Sequence, residues 1–281
     1  MVAIGDLHGD LQAAQRALRT ARAIDDAGRW IGGELVVVQV GDEIDRGDQD
    51  REVIELFQSL REEAAHAGGA VHPLIGNHET MNVAGDFRYA TSRGLSGFRG
   101  AGDGTVPTPV LAQFPPAQRD RAAALSPGGP CARKLATRNV VIMVGDTVFV
   151  HGALKPDHVR YGIGRINREA AAWMRGEGQQ PEIIAAGSGP TWQGSYSHSE
   201  DGDAPCAMLQ EVLGMIHARR MVVGHTMQAA GITSGCGGRI WSVDVGLGKH
   251  YGPQSSEILE LEGEAIRVLS DPAVATKPAA R

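Results

Sequence analysis

The 281-residue sequence predicts an α/β fold of two packed, mixed β-sheets with helices on the outside. Three observations carry this. Residues 2–75 alternate apolar strand-like runs with helical periodicity, the pattern of parallel crossovers. Residues 140–150 and 257–269 read instead as β-hairpins. The apolar runs repeatedly end in Gly or His, followed or preceded by Asp and Asn, at the strand ends where open α/β sheets gather ligands.

Val2–Ile4 reads as a buried strand ending at Gly5-Asp6. Asp10 is suited to cap a helix from about Leu11 to Ala27, with Leu11, Ala14, Leu18, Ala21 and Ile24 on one face. Leu35–Val40 is the second strand. Residues 48–67 form the second helix, with Val53, Ile54, Phe57, Leu60 and Ala64 inward and Gly68-Gly69 as its stop. Ala70–Ile75 is the third strand. Residues 83–137, rich in Gly, Pro, Arg and Ala, break the pattern and read as an insertion or cap with one helical signal near Pro116–Leu125. Beyond it come a hairpin (Val140–Val144, Thr147–Val150), a helix (Ile163–Arg175), a loop (176–203) and a helix (Ala207–His217). Strands Met221–Val223 and Ile240–Val245 and a last hairpin (Glu257–Leu261, Ala265–Leu269) follow. The expectation is one domain over 1–270 with a tail at 271–281, parallel in its early part and antiparallel in its late part.

The formal charge of −6 disfavours broad phosphate-backbone binding, so nucleic acid is not an expected partner. No apolar run is long enough to span a membrane and no signal peptide is present, which points to the cytoplasm. The first strand starts at Met1 itself, so an exported protein lacking its leader is the alternative. Cys131, Cys206 and Cys236 are far apart and form no Cys-x-x-Cys. A thiolate zinc site is therefore not expected, while one disulfide stays open.

The chemistry sits at the strand ends. They read Gly5-Asp6-Leu7-His8-Gly9, Gly41-Asp42-Glu43-Ile44-Asp45-Arg46-Gly47, Gly76-Asn77-His78-Glu79, His151-Gly152, Gly224-His225-Thr226 and Asp244-Val245-Gly246. Strand-end clusters distant in sequence can converge on one cleft. Asp6 and His8, two apart in an extended segment, point the same way. The oxygen and imidazole donors, without sulfur, suit manganese, iron or zinc. Six candidate ligands suit two ions sharing a bridging carboxylate. Such ions, with Arg46, would neutralise the carboxylates packed into residues 41–47.

This set of motifs resembles the calcineurin-like metallophosphoesterases, within them the phosphoprotein phosphatase branch, and is most similar to its bacterial-type Shewanella-like protein phosphatases. The resemblance rests on GDLHG, GDEIDRG, GNHE and HGA in that order, with Met81–Tyr89 and Val-Val-Gly-His-Thr between and after them, and covers about Val2 to Leu269. It implies a four-layer αββα sandwich. It also implies Asp6, His8 and Asp42 as ligands of one metal and Asp42, Asn77, His151 and His225 as ligands of the other. His78 would be the general acid, Asp45 the carboxylate that orients it, and Arg46 the residue that binds phosphoryl oxygens. Hydroxide held between the cations would attack in line and His78 would protonate the leaving group. The expected cofactors are two divalent ions, with manganese first and iron or zinc as alternatives. The expected substrate is a phosphoprotein, on Tyr or Ser/Thr, or a small phosphomonoester. A dinucleoside polyphosphate or other nucleotide is the alternative substrate, and a metal-binding module without turnover is a third reading.

Two departures stand out. The branch's second phosphate-binding arginine has no counterpart in Gly189–Tyr196, where Arg160, Arg165 or Lys249 would have to compensate, and Ala153 replaces a glycine after His151-Gly152. Asp244 is read as the partner of a ligand histidine's second nitrogen or as a turn carboxylate. Tyr89, with Phe87, Trp192 and Tyr196, lines the substrate pocket or packs the core. Glu43 and Glu79 read as solvated or as supports for the ligands, and His66, His72, His158, His198, His217 and His250 as structural or surface residues.

Overall fold

The computed structural model describes residues 1–197, 204–252 and 255–271. The strands are β1 (Val2–Ile4), β2 (Val36–Gln39), β3 (Ala70–Pro73), β4 (Val141–Val144), β5 (Thr147–Val150), β6 (Arg220–Val223), β7 (Thr233–Gly235), β8 (Ile240–Ser242), β9 (Ile258–Glu262) and β10 (Ala265–Leu269). They form two five-stranded sheets, ordered β10-β9-β1-β2-β3 and β4-β5-β6-β8-β7. The helices are α1 (Leu11–Thr20), α2 (Asp50–His66), α3 (Asn77–Val83), α4 (Ser92–Ser96), α5 (Thr108–Leu111), α6 (Arg119–Leu125), α7 (Pro130–Leu135), α8 (Pro156–Tyr161), α9 (Ile163–Met174), α10 (Glu182–Ala185) and α11 (Ala204–Met215).

The period-two alternation of each strand assigns its side chains to layers. Val2, Ile4, Val37 and Val71 face outward and pack under Leu18 of α1 and Val53, Phe57 and Leu60 of α2. Ala3, Val38 and Leu74 face inward and meet Phe149 and Val222 of the second sheet. Val148, Val150, Met221 and Val223 carry the outer face of that sheet under Ile166 and Trp173 of α9 and Leu209 and Val212 of α11. The result is the four-layer αββα sandwich. Strands buried on both faces need continuous apolar runs, which is why β1, β2 and β6 show no polar alternation.

Several expectations are corrected. The first helix ends at Thr20, not near Ala27: Arg22 turns left-handed at φ +55°, and Asp25 accepts from the backbone N–H of Ala27 and Arg29, an Asx-type turn that competes with helix. Ile24 instead bridges to Trp30. The late part is not antiparallel throughout, because β5 pairs with β6 and β6 with β8 in parallel; the chain between β5 and β6 crosses over through α8–α11. Strand β7, with the sequence Thr-Ser-Gly, carries no apolar pattern and was not legible. Residues 83–137 hold short helices besides the expected one, and α6 and α7 bury Leu125, Cys131, Ala132 and Leu135 in the core beneath α9. The region read as a loop at 176–203 contains α10; residues 198–203, with His198, lie outside the described residues, as do 272–281 of the expected tail.

Among the described residues no helix is long and apolar enough to cross a membrane. Cys206 of α11 is disulfide-bonded to Cys236 after β7, and Cys131 is free and buried.

Candidate metal centre and active site

The ends of β1, β2, β3, β5, β6 and β8 deliver Asp6, Asp42, Asn77, His151, His225 and Asp244 to one buried place. Two donor groups gather there, each with its ligating atoms within 4.8 Å of one another: His8, Asp42 and His78, and Asp42, His151 and His225. Asp42 belongs to both. His151 Nε2 lies 3.2 Å from Asp42 Oδ2 and 2.9 Å from Asn77 Oδ1, which also lies 2.9 Å from His225 Nδ1. Asp6 joins them, 4.0 Å from both His8 Nε2 and His151 Nδ1, and its carboxylate accepts from the backbone N–H of His225.

Backbone conformation brings the donors in. His8, Asp42, Asp45, Arg46 and His225 all sit in the left-handed region at φ +48° to +68°. Such conformations cost free energy in non-glycine residues and concentrate at functional sites. The glycines before the ligands permit close approach: a Cβ at Gly76 would collide with Asp42 Oδ1, and one at Gly224 with Asp6 Oδ1.

The histidine tautomers are set from behind. His8 Nδ1 meets the Ile44 carbonyl at 3.2 Å, His151 Nδ1 the Val40 carbonyl at 3.0 Å, and His225 the Trp192 carbonyl. Each ring therefore turns its other nitrogen to the centre, the usual support for a metal-ligating imidazole. Burial pushes His8 down to about 3 and His225 down to about 4, keeping both in the neutral form that binds metal.

The donor set fits cations. Burial, reinforced by Asp244 and Asp42, raises Asp6 well above the usual carboxylate range, and burial pushes Asp244 up to about 6. Asp244 Oδ1 accepts from Gly246 N–H, while its buried Oδ2 has no partner among the described residues. Burial would raise Asp42 as well, but His151 and His78 hold it low. Three carboxylates and four imidazoles packed this tightly are costly without a positive charge between them.

His78, at the start of α3, is held through Nδ1 by Asp45 Oδ2 at 2.7 Å, and its Nε2 faces Asp42 Oδ2 at 3.8 Å. Burial would lower this imidazole, but Asp42 and Asp45 raise it overall. Arg46 is not the counter-ion that residues 41–47 led us to expect. Among the described residues no carboxylate pairs with it; it lies 4.9 Å from the Tyr89 ring and 5.9 Å from the Tyr251 ring, with His250 Nε2 at 3.4 Å. The neutralising charges come from elsewhere. Arg138 pairs with Glu43 at 2.5 Å, and Arg121 pairs with Asp45 at 2.8 Å and Asp50 at 2.6 Å, all fully buried.

Of the two readings of Asp244 the geometry fits the turn carboxylate, since its Oδ1 accepts from Gly246 N–H, and among the described residues backbone carbonyls meet the ring nitrogens of His8, His151 and His225. Arg165 lies on the surface of α9, paired with Glu169 and stacked on Tyr161, and Arg160 pairs with Asp157 and Glu211. Among the described residues neither pairs with the cluster. Trp192 brings an indole edge to His225, ring centroids 6.0 Å apart, and Lys249 lies 3.9 Å from Asp48. Tyr89 is at the site, 41 % exposed, with its ring 5.1 Å from that of His78. Phe87 and Tyr196 are core residues, the latter donating to the Leu154 carbonyl. His250 is an exposed residue, as read, and lies against both Arg46 and Tyr251.

Five further residues support the site, of which only Glu79 is weighed from the sequence, as solvated or as a support for the ligands. Glu79 is buried, not solvated, and accepts from the backbone N–H of Gly76, Asp42 and Glu43, which ties two ligand loops together. Tyr251 places its hydroxyl 2.9 Å from His8 Nε2. Asn82, Arg121 and Arg138 complete the frame. Only Glu79, in the GNHE motif, could have been found by pattern.

Comparison with known proteins agrees with this geometry. Residues 1–229 match the family model for calcineurin-like phosphoesterases. The chain is 36% identical, over 96% of its length and 77% of the other, to Shewanella-like protein phosphatase 2 of Arabidopsis thaliana, and 24% identical, over 96% and 73%, to Shewanella-like protein phosphatase 1 of Plasmodium berghei. It superposes on a cold-active protein-tyrosine phosphatase from a psychrophilic Shewanella with TM-score 0.72 and 25% identity, covering 96% of this chain and 80% of that one. With its strand-end motifs brought together around one divalent-metal site, the chain belongs to the calcineurin-like phosphoesterases and is a metal-dependent phosphatase of phosphomonoesters.

Proposed function

We propose that the protein dephosphorylates phosphotyrosine in protein substrates. The observation that carries this is Arg46: a guanidinium with no carboxylate partner among the described residues, beside the metal donors and framed by the rings of Tyr89 and Tyr251. A planar guanidinium fits two phosphoryl oxygens at once. The half-exposed Tyr89 offers an aromatic wall to an aryl leaving group. The relatives named as protein phosphatases support protein substrates, and the structural neighbour named as a protein-tyrosine phosphatase supports phosphotyrosine among them.

Asp6, His8 and Asp42 would hold one divalent ion and Asp42, Asn77, His151 and His225 a second, with manganese as the expected metal in assays. Such ions supply Lewis acidity to the phosphoryl group and to the attacking water. Arg46 binds and orients the phosphate. His78, fixed by Asp45, turns Nε2 toward the leaving oxygen and donates its proton. We leave His78 out of the ligand set because Asp45 already fixes its ring for that donation, and Asp6 offers the missing oxygen donor.

The test is phosphate release from a phosphotyrosine peptide, a phosphoserine peptide, p-nitrophenyl phosphate and diadenosine tetraphosphate, with and without manganese. We expect manganese-dependent turnover led by the phosphotyrosine peptide, and a loss of roughly 10²–10⁴-fold in His78→Ala on that peptide. A preference for the phosphoserine peptide or the dinucleotide would overturn the substrate assignment.

The Cys206–Cys236 disulfide supports an oxidising compartment, the exported alternative, because such bridges seldom persist in a reducing cytosol. Denatured without reductant, the chain is then expected to titrate as one thiol, Cys131, and with reductant as three. Three thiols before reduction would remove this reading.

A further inference from the structure

Arg121 lies on α6, 76 residues from Asp45, yet its side chain is completely buried. Its guanidinium makes four hydrogen bonds: Nη2 to Asp45 Oδ1 at 2.8 Å, Nη1 to Asp50 Oδ2 at 2.6 Å and to the Gly94 carbonyl at 3.1 Å, and Nε to Asn82 Oδ1 at 2.7 Å. Its carbon lies 4.9 Å from the Phe98 ring centre and 5.7 Å from that of Phe87. Asn82 turns its amide back to the same place, donating to Asp45 Oδ2 at 2.8 Å and to the His78 carbonyl at 2.9 Å.

The consequence for Asp45 is geometric. One carboxylate oxygen is taken by Arg121, and the other by His78 Nδ1 and Asn82. With both oxygens fixed, the carboxylate plane cannot rotate, and the imidazole it holds keeps Nε2 aimed at the centre. A rigid, forked cation does this; a lysine's single ammonium cannot satisfy Asp45, Asp50 and Asn82 together. The burial of so large a charge is costly unless its donors are used, and Arg121 bonds through all three nitrogens with four of its five N–H groups. Among the described residues Arg121 bonds none of the proposed metal ligands, so an effect on turnover passes through Asp45 and through Asn82, which itself holds Asp45 and the His78 carbonyl.

We propose that Arg121 is the positioning residue of the proton-donating pair, holding Asp45 from behind so that His78 delivers its proton to the leaving oxygen. The inference rests on the assignment of His78 and Asp45 as that pair. It assigns the 83–137 segment a part in catalysis: α6 locks the dyad, and Phe87 and Phe98 lock α6.

Leaving-group dependence tests it. A general acid matters little for a good leaving group and strongly for a poor one. The manganese-loaded holoenzyme and the variants His78→Ala, Arg121→Met, Arg121→Lys and Asp50→Asn are compared on p-nitrophenyl phosphate and phenyl phosphate, with metal content and circular dichroism checked for each. We expect Arg121→Met and Arg121→Lys to lose about 10–100-fold in kcat on phenyl phosphate but only a few-fold on p-nitrophenyl phosphate, with KM and metal content little changed. Asp50→Asn, which keeps the guanidinium but loosens its far end, should steepen the dependence less; it and Arg121→Lys keep the test readable should Arg121→Met not fold. Equal losses on both substrates would mark a purely structural residue and overturn the inference. If His78→Ala itself shows no steepening, the dyad assignment fails, and this inference with it. If His78→Ala steepens and the Arg121 variants do not, this inference alone fails.

Discussion

Asp42→Asn is expected to lower kcat/KM by roughly 10³-fold or more and to reduce bound metal, while leaving the fold intact. Asp42 is the one residue common to both donor groups, and its negative charge is what the surrounding His151 and His78 respond to. The substitution is nearly isosteric. An asparagine Oδ1 can still accept from the His78 backbone N–H, which Asp42 Oδ1 now does at 2.9 Å. The turn around it stays anchored, because Glu79 holds the backbone N–H of residues 42 and 43. Loss of activity can therefore be separated from loss of structure. Metal content by mass spectrometry, circular dichroism and kcat/KM on p-nitrophenyl phosphate check the three parts. A variant with full metal content and near-normal turnover would show that Asp42 does not serve both ions.

Arg138→Met is expected to produce the largest loss of stability, about 3–5 kcal/mol. Arg138 and Glu43 are both fully buried and meet at 2.5 Å, and burial raises the Glu43 carboxyl even with that arginine beside it. Without Arg138 the carboxylate is left unpaired in the interior, next to Asp42 and Glu79. For a chain of this size the loss corresponds to a fall in Tm on the order of 10 °C. Glu43→Gln combined with Arg138→Met should recover most of it, since the cost lies in the stranded charge and not in the missing bond. Thermal melts of the single and double variants decide this. A double variant no more stable than Arg138→Met would mean that Arg138 acts through packing, for instance its 3.4 Å contact with the Ile54 carbonyl.

Both predictions concern the turn at residues 41–47, whose crowd of carboxylates was visible from the start. That metal would offset part of that charge was legible, because Asp6, His8, Asp42, Asn77, His151 and His225 each sit at the end of an apolar run beside a glycine, and strand ends on one edge of a sandwich must meet. The layering was legible for a related reason. Alternate residues of Val2–Ile4 and Val36–Gln39 point to opposite faces whatever surrounds them, so the apolar runs already declared strands buried on both sides.

The arginine partners of Glu43 and Asp45 could not be read in this way. The stretch Arg119-Asp120-Arg121 offers two arginines in one helical turn; one is exposed and bonds the Phe114 carbonyl, the other is the largest fully buried side chain. Helical periodicity over Arg119–Leu125 does not separate them, because their environments are set by Asp45, Asp50, Asn82 and two phenylalanines that belong to other elements. Arg165 and Arg160 show the converse: plausible by composition, they are held at the surface by Glu169 and Asp157, three or four residues away, and Arg160 also by Glu211. Local pattern reports on the backbone and on which face a side chain takes. Which charge neutralises which, and so what holds the reacting groups in place, is a matter of distances between segments brought together by the packed sheets, and it was settled only when the layers closed.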